Sequence, residues 1–118
     1  MTRQCILVVD DDPGIQHAVR SVLGKEGYST MAALGGAAAQ AMLQRQTPGL
    51  VLLDLNLPDM AGIDLLHLMK SNPAFEQVAV VAMTGAELPP NAPFAATLRK
   101  PFELDELLRV VRSRLPPS

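Results

Sequence analysis

The chain has 118 residues, 48% hydrophobic and 19% charged, with ten Lys and Arg against twelve Asp and Glu and a formal net charge of −2. That length suits one domain spanning 1–118, the apolar content excludes a disordered chain, and the slightly acidic balance argues against direct nucleic-acid binding. A single cysteine, Cys5, excludes a disulfide framework and a Cys-based zinc site, no apolar run approaches membrane-spanning length, and the N-terminus lacks a secretory signal, so the expected location is cytoplasmic with no membrane contact.

The first apolar run, Cys5-Ile6-Leu7-Val8-Val9, ends in Asp10-Asp11-Asp12. It does not alternate with polar residues, so it predicts a strand buried on both faces, as in a parallel sheet. Asp12-Pro13 is a helix start, with Asp as the cap and Pro at the first helical position. Ile15, Ala18, Val19, Val22 and Leu23 follow helical spacing, and Gly27 is a stop. Tyr28 to Ala32 predicts a weaker strand. Leu34 through Gln46 predicts a helix with an Ala-rich face that includes Ala38, Ala41 and Met42.

Leu50 to Leu53 is a second unbroken apolar run, ending at Asp54. Gly62 to Asn72 places Leu65, Leu66 and Met69 on one side of a helix. Val78 to Met83 predicts a strand ending at Thr84-Gly85. The next segment, Gly85 to Ala96, contains Pro89, Pro90 and Pro93. Each interior proline costs a helix roughly 3 kcal/mol, so a loop with room for one turn is expected. Thr97-Leu98-Arg99 is a short strand before Lys100-Pro101. Glu103 to Leu115 carries Leu104, Leu107, Leu108, Val111 and Leu115 on one stripe, acids in its first turn and arginines near its end, as the helix dipole favours. Pro116 to Ser118 reads as a frayed end or the start of a linker.

Strands alternating with helices predict an α/β fold: a doubly wound parallel sheet with helices on both faces. In such sheets ligands gather outside the carboxyl ends of the strands. Asp10, Asp11, Asp54, Thr84 and Lys100 all fall there. Carboxylates packed together raise each other's proton affinity, and a hard divalent cation such as Mg²⁺ relieves the conflict. A carboxylate held beside Mg²⁺ and a lysine can attack a phosphoryl group.

The sequence resembles a response-regulator receiver domain over nearly its whole length. The matching stretches are Ile6 to Asp12, Leu52 to Gly62, Met83-Thr84-Gly85 and Lys100-Pro101-Phe102. The resemblance implies a flavodoxin-like five-stranded sheet in the order 2-1-3-4-5. It implies Asp54 as phosphoacceptor, and Asp10, Asp11, Asp54 and the Asn56 carbonyl as the Mg²⁺ site. Thr84 and Lys100 would bind the phosphoryl group, and the Lys100–Pro101 bond would be cis. The expected function is a phosphoacceptor switch that takes its group from a sensor histidine kinase or a histidine phosphotransfer protein and hydrolyses it on itself, with a homodimer allowed.

Two departures stand out. The proline-rich segment leaves no room for the family's usual fourth helix, and Thr97 stands where an aromatic residue is usual, with Phe94 out of register. These departures favour a second reading, a phosphorylation-independent docking or dimerisation module, and the complete acidic site disfavours it. A third, a haloacid-dehalogenase-type phosphohydrolase, needs a second Asp where this chain has Asn56. Asp12 is expected to act as a helix cap, His17, His67, Asp59 and Asp64 to be solvated, and the Met residues to fill the core. Glu87, three residues past Thr84, is a candidate for influencing hydrolysis.

Overall fold

The computed structural model describes residues 4–86, 88 and 91–116. Glu87, Pro89, Pro90 and the last two residues lie outside the described residues. The chain runs β1 (Cys5–Val9), α1 (Pro13–Lys25), β2 (Ser29–Ala33), α2 (Gly36–Arg45), β3 (Leu50–Asp54), α3 (Gly62–Lys70), a 3₁₀ turn (Pro73–Phe75), β4 (Ala79–Thr84), β5 (Ala96–Arg99) and α4 (Leu104–Arg114). The strands form one parallel sheet in the order β2-β1-β3-β4-β5.

The unbroken apolar runs are explained by what covers each face. Ile6, Val8, Leu50, Leu52, Val81 and Met83 point to one side, where Val19 and Leu23 of α1 and Leu107 and Val111 of α4 pack on them. Leu7, Val9, Val51, Leu53 and Val80 point to the other, under Ala39 and Leu43 of α2 and Leu65, Leu66 and Met69 of α3. Successive strand residues alternate between two apolar layers, so neither position tolerates a polar side chain. Among the described residues no helix is long and apolar enough to cross a membrane.

Several boundaries and faces differ from the sequence expectation. Tyr28 precedes β2 and is an anchor: its buried hydroxyl donates to the Leu115 carbonyl at 2.6 Å, tying the end of α4 to the start of β2. Gly27 ahead of it has φ 95°, the left-handed region that favours glycine after a helix. α2 begins at Gly36, not Leu34, because Gly35 is extended and Leu34 is exposed. Its buried face is Gly36, Ala39 and Leu43, while Ala38 and Ala41 are exposed. An Ala-rich run carries little stripe contrast, and the helix rolls to bury its leucine. α3 ends at Lys70, since Pro73 cannot continue it. Asn72 instead caps the 3₁₀ turn by accepting from the Ala74 N–H at 2.9 Å. On α1, Ala18 is exposed and Gln16 is buried in its place, and Leu104 at the start of α4 is exposed. Between β4 and β5 the described residues of 85–95 form no helix.

Candidate functional site

Strand register builds the site. Val9 is level with Leu53 across β1 and β3, which sets Asp10 beside Asp54. Asp54 pairs with Met83, so Thr84 stands one step beyond it, and Thr84 pairs with Arg99, so Lys100 stands one step further. Four strand ends therefore deliver their polar residues to one rim.

Asp10 is fully buried. Its amide donates to the Ala33 carbonyl at 3.1 Å. Its Oδ1 accepts from the Asp12 N–H at 2.9 Å, and its Oδ2 accepts from the Lys100 ammonium at 2.9 Å. Asp12 caps α1, accepting from the N–H groups of Gly14 and Ile15 at 2.8 and 3.3 Å. Asp54 is buried; its Oδ1 accepts from the Asn56 N–H at 3.1 Å and its Oδ2 lies 3.4 Å from the Lys100 ammonium. Asp11 is exposed, and one carboxylate oxygen from each of Asp10, Asp11 and Asp54 lies within 4.8 Å of the others. Lys100 precedes a cis peptide to Pro101, and its own N–H donates to the Thr84 carbonyl at 2.8 Å. The Thr84 hydroxyl is held in a local turn, accepting from the Ala86 N–H at 3.0 Å and donating to the Ala86 carbonyl at 3.2 Å.

The charges do not balance. Three carboxylates face one ammonium. Burial is the main force holding the Asp54 carboxyl above the usual carboxylate range, and the charge of Asp10 adds to it; the Asn56 N–H and Lys100 oppose it. Burial alone would pull the Lys100 ammonium down, but its hydrogen bond and ion pair with Asp10, joined by Asp54, leave it above its ordinary value. An all-oxygen, net-negative donor set of this kind suits a hard divalent cation. Mg²⁺ fits these residues.

The loop after Asp54 is fixed by close packing. A Cβ on Gly62 would lie 2.5 Å from the Asp54 carbonyl oxygen and 2.7 Å from the Leu55 Cα, so only glycine lets α3 start this near the strand end. The loop closes through the Gly62 N–H to Leu55 carbonyl bond at 2.9 Å and a bridge between Asn56 and Ala61. Beside it an open cavity of about 420 Å³ is lined by Asp11, Asn56, Pro58 and Met60, among others.

Asp59 is not merely solvated as expected. Its carboxylate accepts from the N–H groups of Gly36 and Ala37 at 2.8 and 2.9 Å, capping α2 from 22 and 23 residues away. Those two bonds, Ala37 first, hold its carboxyl below the usual range. Nothing local in the sequence signals this cap. Gln16 was also missed, although it shares the i, i+3, i+7 stripe with Val19 and Leu23. Thr97 is exposed on β5, while Phe94 is half-buried against the α2–α3 core. His17, His67 and Asp64 are exposed, and Met69 and Met83 are core.

The sequence model of the response regulator receiver domain matches residues 6–112. The chain belongs to the response regulator receiver domain family. It is 36% identical to sporulation initiation phosphotransferase F of Bacillus subtilis, covering 98% of this chain and 97% of that protein. It is 37% identical to the DNA-binding response regulator MtrA of Mycolicibacterium smegmatis, where 96% of this chain spans only 51% of the relative. Among solved structures, the receiver domain of a Pseudomonas aeruginosa sensor histidine kinase superposes with a TM-score of 0.86 at 26% identity, covering 96% of this chain and 98% of that one. That structure holds a magnesium ion coordinated in its active site cleft. Receiver domains bind Mg²⁺ at an acidic pocket and are phosphorylated by histidine kinases or phosphotransfer proteins. This chain is a phosphoacceptor switch of that two-component class.

Proposed function

We propose that Asp54 is the phosphoacceptor and that Asp10, Asp11, Asp54 and the backbone carbonyl of Asn56 are the groups that would hold Mg²⁺. The observation that carries this is the convergence of three carboxylates within 4.8 Å of one another, with Asp10 and Asp54 both buried and both beside Lys100. In the transfer, an Asp54 carboxylate oxygen forms a bond to phosphorus as the bond to the partner's imidazole nitrogen breaks. The electron pair leaves with the imidazole, which takes a proton from solvent. Mg²⁺, when bound, neutralises charge on the transferring oxygens.

The chain's own residues supply the remainder. Lys100 already sits 3.4 Å from Asp54 Oδ2 and can pair with a phosphoryl oxygen without a large movement. Thr84 can donate its hydroxyl to that oxygen only by giving up its hydrogen bond to the Ala86 carbonyl. The switch is reset by hydrolysis: water attacks phosphorus, the bond from phosphorus to the Asp54 oxygen breaks, and inorganic phosphate leaves with the Asp54 carboxylate regenerated. The phosphoryl donor is a phosphohistidine on a sensor kinase or phosphotransfer protein. Intact-mass measurement after incubation with acetyl phosphate and Mg²⁺ tests the reading. One phosphoryl adduct on the wild type and none on Asp54→Asn is the expected pair. An unmodified wild type would instead favour the docking-module reading.

A further inference from the structure

The corner where β1 turns into α1 is held by a side chain that the phosphoacceptor chemistry does not use. Gln16 is 5% exposed, and its Nε2 lies 2.8 Å from the Val8 carbonyl, 3.1 Å from the Asp10 carbonyl and 3.1 Å from the Ala33 carbonyl. Two N–H bonds thus serve three acceptors. The acceptors are not scattered: Val8 and Asp10 bracket the end of β1, and Ala33 is the last residue of β2. The Ala33 carbonyl also accepts the Asp10 N–H. Asp10 is therefore fastened at its amide, at its carbonyl and at both carboxylate oxygens.

The amide has a cost that its donors must outweigh. Among the described residues Gln16 Oε1 is buried with no hydrogen-bond partner. Turning the amide over would aim that oxygen at three carbonyls, so the donor assignment is dictated by the acceptors. An apolar side chain here would pack against Val19 and Leu23 without an orphaned acceptor. α1 does not need Gln16 for its own attachment, because Val19 and Leu23 supply that. What the amide uniquely does is fix the backbone on either side of Val9, and through it the direction in which Asp10 and Asp11 leave the strand.

We infer that Gln16 is a positioning residue for the acidic site, clamping the β1 corner so that Asp10 and Asp11 meet Asp54 in cation-binding geometry. This rests on the reading of those carboxylates as the Mg²⁺ site. Groups that orient metal-ligating residues typically change metal affinity by tenfold or more when lost.

The test uses MgCl₂ alone on the full chain, with affinity read from chemical-shift titration and stability from melting in EDTA. Gln16→Met keeps the volume and removes the donors, and Val19→Ala, on the same stripe, weakens the helix contact without touching the clamp. Gln16→Met should weaken Mg²⁺ binding about tenfold, while Val19→Ala melts lower but keeps the wild-type affinity. Wild-type binding with a Gln16→Met affinity inside roughly twofold of it overturns the inference and leaves the site reading standing. Equal weakening in both variants also overturns it, since a merely structural role would produce that. A wild type that ignores Mg²⁺ overturns both. Should Gln16→Met not fold, the wild type decides: its Gln16 side-chain N–H signals should move on Mg²⁺ saturation and those of exposed Gln44 should not. Unmoved Gln16 signals overturn the proposal.

Discussion

Replacing Asp54 by Asn removes one charge from a crowded site and keeps its shape, and the structure sets the size of the response. At an effective dielectric of about 20, two like charges separated by the 4.8 Å limit of the carboxylate cluster repel by about 3.5 kcal/mol. Lys100, 3.4 Å from Asp54, attracts by about 5 kcal/mol on the same scale. The substitution deletes two repulsions and one attraction. Asp11 is exposed and solvent-screened, which trims the gain, so Asp54→Asn should stabilise the metal-free domain by ~1–2 kcal/mol. With the Asn oxygen kept on the Asn56 N–H, the Asn NH2 takes the place of Oδ2 and faces the Lys100 ammonium, which holds the gain within that modest range. For a chain of this size that is an increase of about 4–8 °C in Tm.

The pH dependence follows from the raised Asp54 carboxyl. The folded form binds this proton more tightly than the unfolded chain. The Asp54 contribution to metal-free stability is thus fully present below the unfolded value near ~4 and is lost as pH climbs through the folded one. Asp54→Asn should lack that slope, so the two melting curves converge in acid and separate toward neutrality. Mg²⁺ should reverse the order: at a hundredfold excess over Kd it adds ~2.7 kcal/mol to a protein that binds it, and the variant has lost a ligand. Circular-dichroism melts in EDTA and in MgCl₂, at acid and neutral pH, measure all of this. An Asp54→Asn domain no more stable than wild type in EDTA at neutral pH, or a gap indifferent to pH, would refute the repulsion argument.

Tyr28→Phe strips the buried Leu115 carbonyl of its 2.6 Å donor and should cost ~1–3 kcal/mol, read from the denaturant midpoint with m unchanged. Asp59→Ala removes the cap on Gly36 and Ala37 and should lower Tm at neutral pH; because the Asp59 carboxyl is held low, its contribution is present above ~4 and lost as pH falls further, where the two proteins should melt alike. Gly62→Ala drives a Cβ into backbone at 2.5 and 2.7 Å, and should both destabilise by ~1–3 kcal/mol and slow phosphorylation by acetyl phosphate. Beryllofluoride with Mg²⁺ should shift the amide signal of Ala86, whose N–H now donates to the Thr84 hydroxyl; an unmoved signal would argue that Thr84 does not close on the phosphoryl group.

The strand-end acids were legible because a parallel sheet buried on both faces writes itself as unbroken apolar runs, and whatever follows each run lands on one rim. Asp10, Asp54, Thr84 and Lys100 are each a strand's last residue or the one after it. The misses have separate causes. Asp59 bonds to Gly36 and Ala37 through a crossing of two loops that no periodicity encodes, and its pairing exists only once α2 and α3 pack side by side. The Ala38 and Ala41 face was misassigned because alanine is nearly neutral as a stripe marker, so Leu43 decided the roll of α2. Gln16 differs, since the signal was there. A glutamine on the same stripe as Val19 and Leu23 must be buried, and a buried amide must find partners. The partners that Gln16 finds are carbonyls at the strand ends beneath α1. Scanning an apolar stripe for its polar exceptions therefore points to the functional rim as directly as scanning the strand ends for their acids.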